Sequence, residues 1–437
     1  MQTKICKTII VGFFLFALQL ALKAQQSDGM ISDTLKYRVD TITSTMENLN
    51  SDVDILKRLK ISGYVQAQFQ LADTMGAVTF SGGNFLATTN QRFQIRRGRL
   101  KLAYDSPLGG VAIQLNASEK GVNLKDAYVY LIEPYLNAFR FTLGAFDRPF
   151  GHEVSYSSSS LESPERARVN QSLFPGESDM GAMLTFQMPK TSRFNFIKLD
   201  AGLFSGNGVG TEVDKKVDFI GRLSMSKATR NEGFKYGIGV SYYNGNYYQG
   251  VKIYTMDKLT DGSNAYVVND NKTNKGTFAK RQYVGADVQL SYDSPIGISQ
   301  LRAEYITGTQ PANAGTNKSP ENYAIAEFEK DTYVRNINGG YIIFAQNIAD
   351  TKHQLVLKYD WYDPNTKVKG KEIKEGNFFT KNDIKFSTFG LGWNYRLSNN
   401  LKITAYYDVV NNEIAAIKGF DRNLKDNVFT LRIQGKF

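Results

Sequence analysis

Apolar and polar residues alternate one by one along most of the chain after residue 60. Val65 and Ala67, for example, share one parity, while Gln66 and Gln68 occupy the other. A period of two residues is that of a β-strand with two unlike faces. Residues 427–437 repeat this pattern and end on an aromatic residue. Such a final strand is expected of a closed membrane barrel, although an edge strand of a soluble sandwich would also fit.

The alternation recurs often enough to predict sixteen strands. They are expected near residues 61–72, 92–105, 111–119, 124–133, 138–147, 179–188, 194–204, 217–228, 234–245, 281–293, 299–309, 334–347, 353–363, 384–397, 401–412 and 427–437. An even number of strands returns both chain ends to one side of a membrane, and the connections alternate between short turns and long loops. The sequence therefore predicts an all-β fold, a 16-stranded antiparallel transmembrane β-barrel over residues 61–437, with a soluble all-β protein as the alternative.

A period of seven residues precedes the predicted barrel. Apolar residues recur at alternating spacings of four and three, at Leu35, Val39, Ile42, Met46, Leu49, Val53 and Leu56. This heptad pattern predicts a helix over residues 35–60 that forms a short N-terminal coiled coil with two- or three-stranded pairing. The alternative is a single amphipathic helix that lies on another surface. With the polar residues 25–34, the helix forms a predicted periplasmic segment over residues 25–60.

Residues 1–24 have the organisation of a secretory signal peptide. Lys4 and Lys7 precede an apolar run over residues 9–22. The segment contains the single cysteine, Cys6, so the exported chain is expected to have no disulfide and no thiolate metal site. Its removal leaves 50 basic against 42 acidic residues, a net charge of +8. Because no nucleic-acid-binding motif accompanies this excess, it indicates an anion pathway rather than nucleic-acid binding.

Charged residues of the predicted strands lie mostly on the parity opposite to the apolar residues. We expect them to face the barrel interior, because a charge at the middle of a bilayer costs about 2–4 kcal/mol. Twelve bases have this parity, namely Arg97, Arg99, Lys101, Arg140, Lys198, Arg222, Arg302, Lys358, Arg396, Lys402, Arg432 and Lys436. Six acids accompany them, namely Asp105, Asp200, Asp287, Glu304, Asp360 and Asp408. The excess of bases favours anions, unless these bases simply pair with inward acids and loops.

The densest basic cluster lies in the second predicted strand. Arg97, Arg99 and Lys101 share parity and would form a ladder up one wall, where guanidinium groups bind phosphate and carboxylate oxygens well. Arg96 has the opposite parity. It therefore lies near a membrane interface or marks a β-bulge that shifts the register.

Four motifs resemble those of the phosphate-selective porin O and P family. They are R-R-G-R-L from residue 96, L-K-D-A-Y-V from 124, G-A-F-D-R-P-F-G from 144 and F-P-G-E-S-D-M-G from 174. Their order and spacing match the family over about residues 61–437. The resemblance implies a homotrimer of sixteen-stranded barrels, a third loop at 148–178 that folds inward as a constriction, and a basic wall ladder at Arg97, Arg99 and Lys101.

The candidate site consists of basic residues on the inner wall and on this loop. The predicted pore-lining or anion-binding residues are Arg97, Arg99, Lys101, Arg140, Arg148, Arg166, Arg168, Arg222 and Arg432. From residue 147 to 179 the chain carries six acids and three arginines, so a phosphate filter requires that the arginines alone face the pore. No nucleophile triad, nucleotide-binding motif or metal-ligand cluster is visible, so we expect no enzymatic activity, no metal and no cofactor.

Together these patterns predict a passive outer-membrane porin for small hydrophilic solutes. We expect a preference for anions, with phosphate as one candidate. The expected partners are outer-membrane lipid, further copies of the chain in a homotrimer, and small anionic or polar solutes. The alternative is a structural protein that tethers the outer membrane to the cell wall through its coiled coil.

Overall fold

The computed structural model describes residues 29–229, 232–260 and 262–437. The predicted signal peptide, residues 1–24, lies outside these ranges. The chain divides into two compact units, one ending at Leu59 and one spanning Lys60–Phe437. Each unit is described by itself.

The first unit contains one helix, α1, at Gly29–Arg58. It confirms the helix predicted over residues 35–60. Apolar side chains of the heptad seam are exposed along it, namely Val39, Ile42, Met46, Leu49, Val53 and Leu56. Pairing of α1 with further copies stays a prediction. Within the described ranges, no helix has both the length and the apolar character needed to cross a membrane.

The second unit is a closed antiparallel barrel. Its strands in the described residues are β1 (Leu59–Ala72), β2 (Gln91–Ser106), β3 (Gly109–Ser118), β4 (Gly121–Ile132), β5 (Phe139–Asp147), β6 (Ser178–Gln187), β7 (Ile197–Phe204), β8 (Asp218–Ala228), β9 (Phe234–Tyr248), β10 (Lys252–Lys258), β11 (Asn264–Asp270), β12 (Phe278–Ser294), β13 (Gly297–Asn313), β14 (Thr332–Asn347), β15 (His353–Asp363), β16 (Phe386–Arg396), β17 (Leu401–Asn412) and β18 (Val428–Lys436). Two short helices, α2 (Arg168–Leu173) and α3 (Ile325–Phe328), lie in connections.

Sixteen of these strands form the wall and confirm the sixteen predicted from the alternation. Strand β1 pairs with both β2 and β18, and the pairing with β18 runs from Tyr64–Lys436 to Ala72–Val428. Strand β9 pairs directly with β12. The remaining two strands, β10 and β11, are therefore an insertion outside the wall.

The β10–β11 hairpin corrects one expectation, because the strands predicted at 234–245 and 281–293 left residues 246–280 between them as one of the long loops. The hairpin is held by pairing and by aromatic packing. Strand β10 pairs in parallel with the end of β14, and Tyr254 stacks on Tyr333 with ring centroids 4.3 Å apart. The hydroxyl of Tyr266 in β11 donates a hydrogen bond to Asp383 at 2.6 Å. These contacts come from distant parts of the chain, so local alternation could not indicate them.

The wall has an apolar outer face and a charged inner face. In β18, Leu431 and Ile433 are exposed on the outside, whereas Arg432 is buried inside. Lys402 of β17 also points inward and donates from Nζ to the carbonyl oxygen of Leu161 at 2.8 Å. Such an outer surface is stable in contact with hydrocarbon. The barrel therefore has the construction of a transmembrane barrel, as predicted.

Residues 148–177, between β5 and β6, fold into the barrel and are named the inner loop. The loop packs against the inside of the wall through a buried apolar cluster. The ring centroids of Phe174 and Tyr243 lie 6.2 Å apart, and those of Phe150 and Tyr283 lie 6.4 Å apart. Both tyrosines belong to wall strands, β9 and β12. Apolar burial thus holds the inner loop to the β9–β15 side of the barrel, whereas its role as a constriction stays a prediction.

Candidate constriction site

Two cavities lie along the β1–β6 side of the barrel interior. One, of about 330 Å³, is bordered by Asn322 of the β13–β14 loop. The other, of about 350 Å³, lies towards the chain ends and is bordered by Phe437. Arg99, Lys125 and Arg166 border both cavities. We name the first of these cavities the outer cavity and the second the inner cavity. The three residues that lie between them are named the constriction triad.

A carboxylate from the end of the inner loop lies at the centre of the triad. Glu177 accepts from Arg166 Nη1 at 2.6 Å, and its other oxygen lies 3.3 Å from Lys125 Nζ and 3.5 Å from Arg99 Nη2. Burial alone would raise the pKa of this carboxyl, but the three cations hold the pKa well below its ordinary value. Glu177 is therefore ionised at neutral pH.

The backbone that presents Glu177 is firmly held. Glu177 has a φ of 61°, a left-handed conformation that is uncommon for a residue with a side chain. Arg148 holds it there, because its Nε donates to the Glu177 carbonyl at 3.1 Å and its Nη2 to that of Pro175 at 2.6 Å. Arg148 is fully buried and lies 5.4 Å from the Phe174 ring. Arg148 thus positions the turn that carries Glu177.

Two further acids balance the charge of the triad. Lys125 Nζ lies 2.6 Å from Asp147 and 3.5 Å from Asp126. With Glu177, the site contains three bases and three acids. The formal charges of the site therefore balance, even though basic residues form its walls.

Lys125 is a site residue that the alternation did not indicate. Lys125 and Asp126 are adjacent in β4, yet both are buried inside the barrel. The β3–β4 register shifts between Gln114 and Leu115, so a β-bulge turns two consecutive side chains to the same face. Strict parity would place one of the two in lipid, and neither was among the predicted inward residues.

A second acid-centred cluster lies where β1, β2 and β18 meet, and we name it the anchor cluster. Glu165 of the inner loop accepts from Arg96 at 2.8 Å, from Arg97 at 2.7 Å and from Arg432 at 2.8 Å. Its side chain is only 6 % exposed. Burial would raise the pKa of Glu165, but the three guanidinium groups hold the pKa well below its ordinary value. The cluster fastens the inner loop to the barrel seam.

The anchor cluster also decides between the two expectations for Arg96. Arg96 and Arg97 are consecutive, yet both bind the same inner-loop carboxylate. The alternation therefore slips by one residue at this point of β2. Arg96 faces the interior, as the bulge alternative predicted, and does not lie at the membrane interface.

Lys101 and Arg140 have a different environment from the two clusters. Arg140 lies over the Tyr130 ring at 3.7 Å, and Lys101 lies 5.8 Å from the Tyr128 ring. Throughout the described ranges, no carboxylate forms an ion pair within 4 Å of either base. Both border a third cavity of about 420 Å³, which also includes Lys198. Asp126 and Asp147 border the same cavity, so these predicted site residues face a space that acids share without pairing directly with either base.

The remaining predicted site residues are buried away from the two cavities that meet at the triad. Arg222 pairs with Asp287 at 2.9 Å. Arg168 of α2 lies between the rings of Phe80 and Phe386, at 4.3 and 4.2 Å. With Arg148, these residues support the inner loop and the wall. The structure therefore divides the nine predicted residues into buried supports and residues that border cavities, except that Arg97 both pairs with Glu165 and borders the cavity of about 330 Å³.

Solved structures that are similar to this chain are porins. An anion-selective porin from Comamonas acidovorans is 11 % identical, with a TM-score of 0.50 over 87 % of this chain and 99 % of that chain. The outer membrane channel DcaP of Acinetobacter baumannii is 12 % identical, with a TM-score of 0.49 over 87 % and 97 %. OmpF of Salmonella typhi is 11 % identical, with a TM-score of 0.49 over the same shares. The first of these likenesses shows that the chain has a porin fold.

Comparisons of the sequence itself add no family. No family model matches the chain, and no curated protein matches it. The porin fold thus agrees with the fold that the resemblance implied. Membership of the phosphate-selective O and P family stays a prediction.

Proposed function

We propose that the protein is an outer-membrane porin, a passive water-filled channel for small hydrophilic solutes with a preference for anions. The observation that supports this most is the meeting of two cavities at a basic constriction inside a closed barrel. Arg99, Lys125 and Arg166 border both cavities. A solute that crosses the barrel on this side would pass these three cations. Charges that line a narrow pore decide which ions enter it.

The anion preference rests on the bases that form no direct ion pair with an acid. The constriction triad is balanced by Glu177, Asp126 and Asp147. Lys101 and Arg140 lie beyond it without an ion-pair partner in the described chain. Low-dielectric walls concentrate their field in the lumen. We therefore assign the anion path to Arg99, Lys101, Arg140 and Arg166, together with Lys125, and structural support to Arg97, Arg148, Arg168, Arg222 and Arg432.

Planar-bilayer recording tests this proposal. In a KCl gradient, we expect discrete conductance steps and a reversal potential that favours chloride. Replacing Lys101 and Arg140 together by Gln should move the reversal potential towards zero, because two positive charges that form no direct ion pair are lost. Lys352→Gln is a matched control, since Lys352 is an exposed base in the β14–β15 turn. A silent protein, or a channel selective for potassium, would contradict the proposal.

We further propose that three copies assemble and that α1 forms a parallel coiled coil among them. The exposed heptad seam needs a partner. Asp52 precedes one seam position and Lys57 follows the next, a spacing that allows an ion pair between neighbouring parallel helices. Mass measurement of the detergent-solubilised chain should give a trimer. A monomer would refute the assembly.

The tethering alternative is less well supported, because a porin fold with internal cavities is not needed for a membrane anchor. Deletion of residues 35–58 separates the two functions. A porin should retain its conductance after the deletion. Loss of envelope integrity with unchanged permeability would favour the tether.

A further inference from the structure

We propose that Glu177 is a built-in ligand of the constriction. Its carboxylate occupies the position at which Arg99, Lys125 and Arg166 bind an oxyanion of a passing solute, either a carboxylate or a phosphate. The oxyanion passes by displacing the Glu177 side chain. This inference rests on the proposed channel function and adds to it a competitor that belongs to the protein itself.

The contacts of Glu177 are those that an incoming oxyanion would make. The three cations come from β2, β4 and the inner loop, so they converge on Glu177 from separate segments. Only the contact with Arg166 is short, at 2.6 Å, whereas those with Lys125 and Arg99 are 3.3 and 3.5 Å. Charge-assisted hydrogen bonds are strongest at about 2.7–2.9 Å. A free oxyanion can approach Lys125 and Arg99 more closely than the tethered carboxylate does.

Displacement requires movement of the side chain alone. Arg148 fixes the backbone of Glu177 through two hydrogen bonds to the turn carbonyls. The Glu177 side chain is 14 % exposed and borders the outer cavity. Rotation about its side-chain bonds would carry the carboxylate into that cavity. The inner loop keeps its position during this exchange.

The charge balance explains why the exchange is easy. With Glu177 withdrawn, Lys125 keeps its contacts with Asp126 and Asp147, whereas Arg99 and Arg166 lose their carboxylate partner. The local charge then rises by one, which attracts an anion of the solute. When the anion leaves, Glu177 returns and restores neutrality. The site is therefore never left with an uncompensated cation, and a bound anion is not trapped.

Anion block of the chloride current tests the inference. Wild-type protein and Glu177→Gln would be recorded in KCl while acetate or inorganic phosphate is added. In Glu177→Gln either oxyanion should reduce the chloride current saturably, with a half-blocking concentration about tenfold below that of the wild type. A tenfold change corresponds to about 1.4 kcal/mol. The acetate and phosphate arms show which oxyanion the triad prefers.

Two variants control for the charge and for the site. Glu177→Asp keeps the charge and should behave like the wild type. Adding Lys125→Gln to Glu177→Gln should remove the block, because the triad is then incomplete. A thermal scan in detergent supplies a readout without current, since phosphate or acetate should stabilise Glu177→Gln more than the wild type.

Three outcomes of these recordings would contradict the inference. Equal half-blocking concentrations in the wild type and Glu177→Gln would overturn the built-in ligand while leaving the channel intact. A large rise in conductance without block would also overturn it, because Glu177 would then serve to hold the loop. If neither protein conducts, the proposed channel function fails and the inference fails with it.

Discussion

Two carboxylates of the same inner loop, Glu165 and Glu177, each bind three basic side chains, but their surroundings differ. Glu165 makes short bonds of 2.7–2.8 Å to three arginines and is 6 % exposed. Glu177 makes one short bond and two long contacts and is 14 % exposed. Glu165 fastens the loop to the seam of the barrel, whereas Glu177 lies between two cavities. The same pairing of charges can thus serve for support or for transport.

The comparison shows why counting charges does not identify a selectivity site. Arg97 and Arg99 are two residues apart on one strand and share a parity. Arg97 borders the outer cavity but not the inner one, and it forms an ion pair with the loop carboxylate Glu165 at 2.7 Å. Arg99 borders both cavities and has only a 3.5 Å contact with Glu177. What separates them is how completely a carboxylate of the loop occupies each guanidinium.

The largest expected effect is that of Glu165→Gln. It would leave Arg96, Arg97 and Arg432 buried without their shared carboxylate. Removing one partner of a buried ion pair costs about 3–5 kcal/mol. We expect a lower unfolding temperature in detergent and a larger single-channel conductance, because the inner loop is released from the seam. Unchanged values of both would show that the anchor cluster does not hold the loop.

A smaller effect should follow from acid. The pKa values of Glu165 and Glu177 are lowered in the folded protein, so the unfolded chain binds more protons. Their stabilisation is complete above the ordinary pKa of about 4.3 and is lost as the pH falls through the lowered values. The unfolding temperature should therefore decrease below about pH 4, and less steeply in Glu165→Gln. A parallel decrease in both proteins would assign the acid sensitivity to other groups.

The wall of the barrel could be predicted from the sequence because its side chains obey one simple periodicity. Strand β18 is an example, with Leu431 and Ile433 outside and Arg432 inside as the alternation predicted. The helix α1 could be predicted equally well, since its heptad seam repeats without interruption. In both cases, one local pattern determines the environment of each residue.

The constriction could not be predicted in this way, because it depends on bulges and on the path of a loop. The bulge in β4 brings Lys125 inside, and the slip in β2 brings Arg96 beside Arg97. The pairing of Glu165 and Glu177 with the wall depends on a loop without periodicity. The alternation assigns only polar residues to the barrel interior, so it did not predict the apolar packing of Phe174 there.

The reversal potential of Arg99→Gln, compared with that of Arg97→Gln, tests the central claim most directly. Both variants lose one positive charge on the same strand. We expect Arg99→Gln to weaken chloride preference clearly, with little change in unfolding temperature. Arg97→Gln should lower the unfolding temperature and shift the reversal potential much less. Equal shifts in the two variants, or a larger shift in Arg97→Gln, would contradict the division between support and transport.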